Sequence, residues 1–289
     1  MSQMRFEAPK TVDAAVALLA SAGGVAKVLA GGSDILIQMR GGRVEPDLLV
    51  DVKGIAEMSG ISQVNGGWRV GAAAPCMAIV EHAGFSKAWP GVTEAVALIG
   101  SIQIKGRATV GGNLCNASPA ADSIPALIAA DAKVEITGPA GKRVVSVADI
   151  CTGVGKNSLA KGEIVTALTF PPRAAHSGDA YLRFTPRTEM DIAVVGAGVN
   201  LTLDANGMCT AARVALGAVA VTPILVPEAA AALIGTKVDE AAIAKMGAAC
   251  SAAAKPITDK RGTAEYRTKV SGVMARRAAA IALARAKAN

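Results

Sequence analysis

The sequence predicts an α+β fold assembled from successive units, and three observations point to it. The chain opens on a helix, a short strand, a glycine turn, a helical turn and a second strand. Alternating apolar strands joined by Gly-rich turns dominate the middle, and beyond residue 226 the pattern is wholly helical. A chain of 289 residues can bury a substantial core and divide into two or three units. Aromatics make up only 3% while alanine and glycine abound, which implies tightly packed helices and sheets.

The elements follow in order. "TVDAAVALLASA" (11–22) has helical character, with Thr11 as N-cap and Gly23-Gly24 as the stop. "AKVLA" (26–30) is a short strand ending in "GGSD", where Ser33 or Asp34 can cap a helical turn through "ILIQMR". "DLLVDV" (47–52) is the next strand and completes a small βαβ-like unit. "GISQVNGGWRVGAAA" then reads as a hairpin about Asn65-Gly66-Gly67. Helices near 75–83 and 91–99, a second hairpin with its turn at 138–141, and a strand over 163–170 stopped by Pro171-Pro172 complete a domain spanning 55–172. The third unit has three strands, with turn Asp204–Gly207, followed by helices.

Composition narrows the function. Five cysteines are scattered without any C-x-x-C pair, which argues against an iron–sulfur or zinc site in this chain and for reduced thiols in a cytoplasm-like compartment. His82 and His176, the only histidines, are expected at the surface or half-buried, and a Ser-His-Asp site would have to use one of them. No run of about 18 apolar residues suggests a membrane span, and the N-terminus lacks the pattern of a secretory signal. Nine Lys/Arg against Asp259 and Glu265 between 255 and 289 carry an excess of seven, equal to the whole chain's net charge of +7. That segment is a solvated helical face or a docking face for an acidic partner. Nucleic acid fits poorly, because Tyr266 is its only aromatic.

"VVGAGVNL" (194–201) imitates a dinucleotide turn, but Leu201 replaces the third glycine and a strand follows where the motif needs a helix. Gly196 and Gly198 are better read as places where a neighbour approaches a strand. "LAGGSD" (29–34) and "TVGGN" (109–113) are stronger candidates. Glycines there can turn consecutive amides toward one point, and two such turns can grip a diphosphate from either side. Ser33, Thr109 and Asn113 add side-chain donors. Each motif by itself is equally an ordinary tight turn.

Together, "VLAGGSDILIQMRGG", "IKGRATVGGNLCNASPAADSIPAL", "YLRFTPRTEMDIAVVGAG" and "GTAEYRTKVSGVMARRA" resemble, in order and spacing, the FAD-binding medium subunit of molybdenum hydroxylases. This is the xanthine dehydrogenase and aerobic carbon monoxide dehydrogenase group. The resemblance implies a two-lobed, vanillyl-alcohol-oxidase-like FAD-binding domain over 1–175, with lobes of about 1–55 and 56–175. A C-terminal domain of three antiparallel strands and helices would occupy 176–289. It further implies that Leu29, Ala30, Gly31, Gly32, Ser33, Asp34 and Ile35 form one cofactor loop. Thr109, Val110, Gly111, Gly112 and Asn113 would form the other, with Gly111 and Gly112 against the FAD diphosphate. Asp122 would accept a cofactor hydroxyl, Leu168 would pack on the isoalloxazine, and Arg183 would stand near the flavin. The loop at Glu189, Met190 and Asp191 would approach the flavin edge. Ile99 and Ile192 stand where relatives place aromatics, so stacking on the flavin would be weaker.

The implied role is electron transfer. A large partner would carry the molybdenum cofactor and a small partner two [2Fe–2S] clusters, in a cytoplasmic dimer of heterotrimers. FAD here would pass electrons to NAD+, a quinone or another acceptor. Two other readings stand beside it: a stand-alone flavin oxidase or dehydrogenase, and a nucleotide-binding scaffold without redox chemistry. A chain with few histidines and no obvious base near the flavin loops suits the first of these less well than the electron-transfer role.

Overall fold

The computed structural model describes residues 4–289. Its first lobe runs β1 (Arg5–Glu7), α1 (Val12–Ser21), β2 (Ala26–Leu29), α2 (Ile35–Arg40) and β3 (Leu48–Asp51). β3 lies between β1 and β2, and all pairings are parallel. Thr11 caps α1 as expected, its hydroxyl accepting the Ala14 amide at 3.2 Å. The sequence did not announce β1, because three residues are too few to show an alternating period. α2 buries none of its residues.

The second lobe begins with β4 (Ile61–Val64) and β5 (Gly67–Gly71). Asn65 and Gly66 both have positive φ, +52° and +76°, the geometry of a type I′ hairpin turn. The helices α3 (Cys76–Glu81), α4 (Ala83–Ala88), α5 (Pro90–Ala97), α6 (Ile102–Lys105), α7 (Val110–Asn116) and α8 (Ser123–Ala129) follow. α4 went unread in the sequence because its cap is a histidine: His82 Nδ1 accepts the Phe85 amide at 3.1 Å. β6 (Lys133–Gly138), β7 (Gly141–Ser146), a small β8–β9 ribbon (Cys151–Gly153, Lys156–Asn157) and β10 (Ile164–Phe170) finish the lobe. β10 is the centre of an antiparallel sheet in the order β4-β5-β10-β6-β7.

The C-terminal unit adds β11 (Ser177–Phe184), β12 (Val195–Leu203), β13 (Cys209–Gly217) and the two-residue β14 (Ile224–Leu225). A fourth strand thus extends the expected three. α9 (Pro227–Ala231), α10 (Glu240–Ala253) and α11 (Ala264–Ala288) cover it. α11 turns Ala275, Ala278, Ala279, Ala282 and Ala286 inward, a small-residue stripe at helical spacing that lets it lie close to the strands. Of the basic residues in this segment, Arg267, Arg285 and Arg261 are consumed internally. Arg267 is 3% exposed, donates to the carbonyls of Val194 and Ala218 and pairs with Asp259. Arg285 pairs with Glu94 and Arg261 with Asp191. Lys255, Lys260, Lys269, Arg276, Arg277 and Lys287 remain exposed.

α8 joins the second lobe to this unit, and all seven of its residues are buried. Gly198 in β12 is glycine because a Cβ there would come within 2.6 Å of the Pro125 carbonyl of α8. Gly196 faces the Tyr181 ring in the same way. A buried charge cluster reinforces the joint. Asp179 accepts the amides of Gly91 and Val92 in the first turn of α5 at 2.9 and 3.3 Å, and its other oxygen pairs with Arg173 at 2.8 Å. A carboxylate on a helix N-terminus is favoured by the exposed amides and the helix dipole. Arg173 in turn lies 4.3 Å over the Trp89 ring. Substituting Gly198→Ala should lower unfolding stability by about 1–3 kcal/mol, since backbone on both sides leaves no room to relax. Urea denaturation with an unchanged slope would measure it.

Candidate functional site

A cleft of about 640 Å³ lies between the two lobes, within the roughly 300–1,000 Å³ typical of cofactor sites. One wall comes from the first lobe. Where β2 runs out at Leu29, the chain turns through 30–34 into α2. Gly32 adopts φ +82°, which a side chain would disfavour. Gly31 is glycine for another reason: a Cβ there would overlap the backbone of Arg107 and Ala108 in the facing wall. The amides of Gly31, Gly32, Ser33, Asp34 and Ile35 have no acceptor among the described residues, and all five residues line the cleft. Five consecutive unused donors constitute an anion site.

The facing wall differs from the open turn that its glycines suggest. Thr109 is the N-cap of α7. Its hydroxyl oxygen accepts the Gly112 amide at 3.0 Å and its carbonyl accepts the Asn113 amide at 2.9 Å. Those two amides are therefore already used, and what this wall offers a ligand is the Gly111 amide with two side-chain donors, the Thr109 O–H and the Asn113 amide. Gly111 borders the cleft, yet a Cβ there would lie 2.5 Å from the Ala72 carbonyl. The space freed by its missing side chain is filled by the protein's own backbone. Gln38 Nε2 donates to Asn116 Oδ1 at 2.9 Å and ties α2 to α7 across the cleft.

Val52, Met58, Ala72 and Ile99 form an apolar floor, and the stretch 159–165 closes the far side. Lys27, Arg43 and Lys161 bring positive charge to the rim. Unused amides and cations suit an anionic linkage, and an apolar floor suits flat rings. The residues present thus fit a dinucleotide with a diphosphate at its centre.

Among the expected residues, Ala30 to Ile35, Thr109, Gly111, Gly112, Asn113 and Ile99 line this cleft. Five others do not. Leu29 and Val110 are buried at 8% and 4% exposure, in the strand and helix that carry the two motifs. Leu168 has no exposure at all. A bulge between Val165 and Ala167 shifts the pairing of β10, and Leu168 beyond it faces Val70, Ile79 and Phe85 in the closed core. Ile164 and Val165, before the bulge, are the β10 residues at the cleft. Asp122 and Arg183 are bound to each other. Arg183 Nη1 donates to Asp122 Oδ2 at 2.8 Å and to the Leu98 carbonyl at 3.1 Å, and the Tyr181 hydroxyl donates to Asp122 Oδ1 at 3.2 Å. Asp191 is occupied by Arg261 and Arg187, while Met190 and Ile192 are exposed. Sequence reasoning missed Gln38, Asn157 and 159–162. The only local signal for the last was Gly155 and Gly162, both with positive φ.

Burial pushes the Asp122 carboxyl up to about 6, although Arg183 and Tyr181 pull it back. A carboxyl raised above its unfolded value binds more protons in the folded state, so its contribution to stability is full below about pH 4 and is lost as pH rises through 6. The stability difference between the protein and Asp122→Asn should therefore shrink from pH 4 to pH 6.5, by an amount on the order of 2 kcal/mol. Chemical denaturation of both across that range measures it, and a constant difference would contradict it.

Two family models account for nearly all of the chain. Residues 2–173 match the FAD binding domain in molybdopterin dehydrogenase, and residues 180–282 match the CO dehydrogenase flavoprotein C-terminal domain. The carbon monoxide dehydrogenase medium chain of Afipia carboxidovorans is 37% identical, covering 98% of this chain and 97% of that protein. A putative xanthine dehydrogenase FAD-binding subunit of Escherichia coli is 38% identical over 69% of this chain and 68% of its own. Among solved structures, reconstituted CO dehydrogenase from Oligotropha carboxidovorans superposes with a TM-score of 0.93 at 34% identity, covering 98% of both chains. The carbon monoxide dehydrogenase of Hydrogenophaga pseudoflava does so with 0.94 at 32% identity, covering 98% of both. These matches cover the glycine loop, the cleft and the C-terminal sheet alike: the chain belongs to the FAD-binding flavoprotein family of molybdopterin dehydrogenases, with the C-terminal domain of the CO dehydrogenase flavoproteins.

Proposed function

We propose that this chain is the FAD-carrying electron-transfer subunit of a multi-subunit molybdenum hydroxylase. The observation that carries the reading is the run of five unpartnered amides, 31–35, facing a second wall of side-chain donors across a narrow cleft. The 30–35 loop and the Thr109–Asn113 stretch would hold the diphosphate. The apolar floor at Val52, Met58 and Ile99 and the edge at Ile164 and Val165 would keep water from the rings. FAD, when bound, supplies the redox chemistry, taking electrons singly and delivering them in pairs.

The protein's own part is to bind and orient. The carboxylates at the cleft are Asp34 and Glu163. Glu163 is held ionised by Arg143, which donates to both of its oxygens at 2.7 Å, and by the Ala160 amide. A carboxylate fixed in this way makes a poor proton acceptor, while burial pushes the Asp34 carboxyl up; substrate hydroxylation is assigned to a partner because the relatives are medium chains and FAD subunits. The reading is completed by a large molybdenum-cofactor subunit and a small subunit with two [2Fe–2S] clusters, assembled as a cytoplasmic dimer of heterotrimers. Electrons would leave to NAD+, a quinone or another acceptor. The names of the relatives, medium chains and FAD subunits, support a multi-subunit enzyme. The exposed Arg276 and Arg277 are candidates for holding that assembly.

Acid precipitation should release free FAD into the supernatant. FMN in solution, or flavin retained in the pellet, would contradict the reading. The isolated chain should at most reduce artificial dyes with NADH, and hydroxylation should require the molybdenum and iron–sulfur subunits. A molybdenum-free preparation of this chain alone that hydroxylates a purine, an aldehyde or carbon monoxide would overturn the assignment. Charge reversal at Arg276 and Arg277 should weaken co-purification of the partners, more so at low ionic strength.

A further inference from the structure

Ser123 is the first residue of α8, has no exposure to solvent, and makes one side-chain hydrogen bond. Its hydroxyl donates to Asn113 Oδ1 at 2.6 Å. Asn113 lies half-buried in the cleft wall, and its Nδ2 has no acceptor among the described residues. We infer that Ser123 is a positioning residue for cofactor binding, fixing the Asn113 side chain so that it can present only donors to the anionic part of FAD. This rests on the proposed placement of the diphosphate between the two walls.

The reasoning is one of hydrogen-bond accounting. An asparagine side chain can rotate end for end, exchanging an acceptor for two donors at little local cost. If Asn113 turned over, its Nδ2 would donate to Ser123, and the Ser123 hydroxyl proton would lose the one acceptor it has. A hydroxyl buried without an acceptor is disfavoured, so the orientation with Oδ1 toward Ser123 prevails. The consequence lies at the other end of the amide. The backbone amides of Gly112 and Asn113 are already taken by Thr109, so the side-chain NH2 stands with the Gly111 amide and the Thr109 O–H as the donors left on this wall. Ser123, which does not line the cleft, thereby sets the polarity of a residue that does.

The test uses the full chain with its accompanying subunits, stripped of flavin and titrated with FAD by fluorescence quenching. Ser123→Ala should weaken FAD binding roughly 2- to 10-fold, the span expected for one hydrogen bond, and Ser123→Thr should restore it. Asn113→Asp keeps an acceptor for Ser123 but turns a second oxygen toward the anion, so it should bind FAD more weakly than Asn113→Ala. In an Asn113→Ala background, Ser123→Ala should have no further effect on FAD affinity. Thermal melts of each apo variant establish that the fold is retained. A silent Ser123→Ala, or one equally damaging without Asn113, would overturn the role of Ser123. If Asn113→Ala itself binds FAD normally, the placement of the diphosphate against this wall fails as well, which separates the two failures.

Discussion

The site depends on a single close approach, the backbone of Gly31 against that of Arg107 and Ala108. Two loops from different lobes touch there without any side chain between them. This contact brings the 30–35 loop and the Thr109–Asn113 stretch to either side of one cleft. Any residue larger than glycine at position 31 would push the lobes apart and separate the two sets of donors. The Gln38–Asn116 hydrogen bond acts in the same direction with a softer tie.

Around that contact the two walls divide the work differently. The first wall leaves its backbone unpaired, so it presents fixed amide dipoles that need no reorganisation on binding. The second wall spends two amides on a helix cap and adds side chains to the one that remains, and their orientation must be set from behind. Much of this wall's rigidity comes from the C-terminal unit. α8 is buried between the second lobe and the strands β12 and β13, and the Asp122–Arg183 pair and the Asp179 cluster clamp the same boundary. The C-terminal domain therefore supports the cofactor cleft from outside it.

The legible parts of the chain were those whose signals are local. The Asn65-Gly66 turn, the Thr11 cap and the alanine-rich helices all follow from neighbours within four residues. The glycine motifs identified the two loops and, with their surroundings, the family. Their residue-level meaning was less legible. Glycines at 31, 32 and 111 look alike in sequence but are needed for three reasons: the facing lobe, a positive φ, and Ala72. Asp122, Leu168 and Arg183 were expected by resemblance; Leu168 lies in the closed core and Asp122 and Arg183 pair with each other outside the cleft lining.

By itself, then, the sequence determined the order of the longer helices and strands, the two glycine loops, and the strand that stands in place of a dinucleotide turn at 194–201. Such properties are written in periodicity, caps and turn residues, which act over one or two turns of chain. Tertiary structure alone decided which amides remain free, that three of nine C-terminal cations are spent inside the molecule, and which side of β10 reaches the cleft. The spent cations are settled largely by partners far away in the chain, 70 residues for Arg261–Asp191, 73 for Arg267–Val194 and 191 for Arg285–Glu94. A hydrogen bond or a close backbone contact at that separation leaves no periodic trace in the sequence, because only the folded chain brings its two halves together.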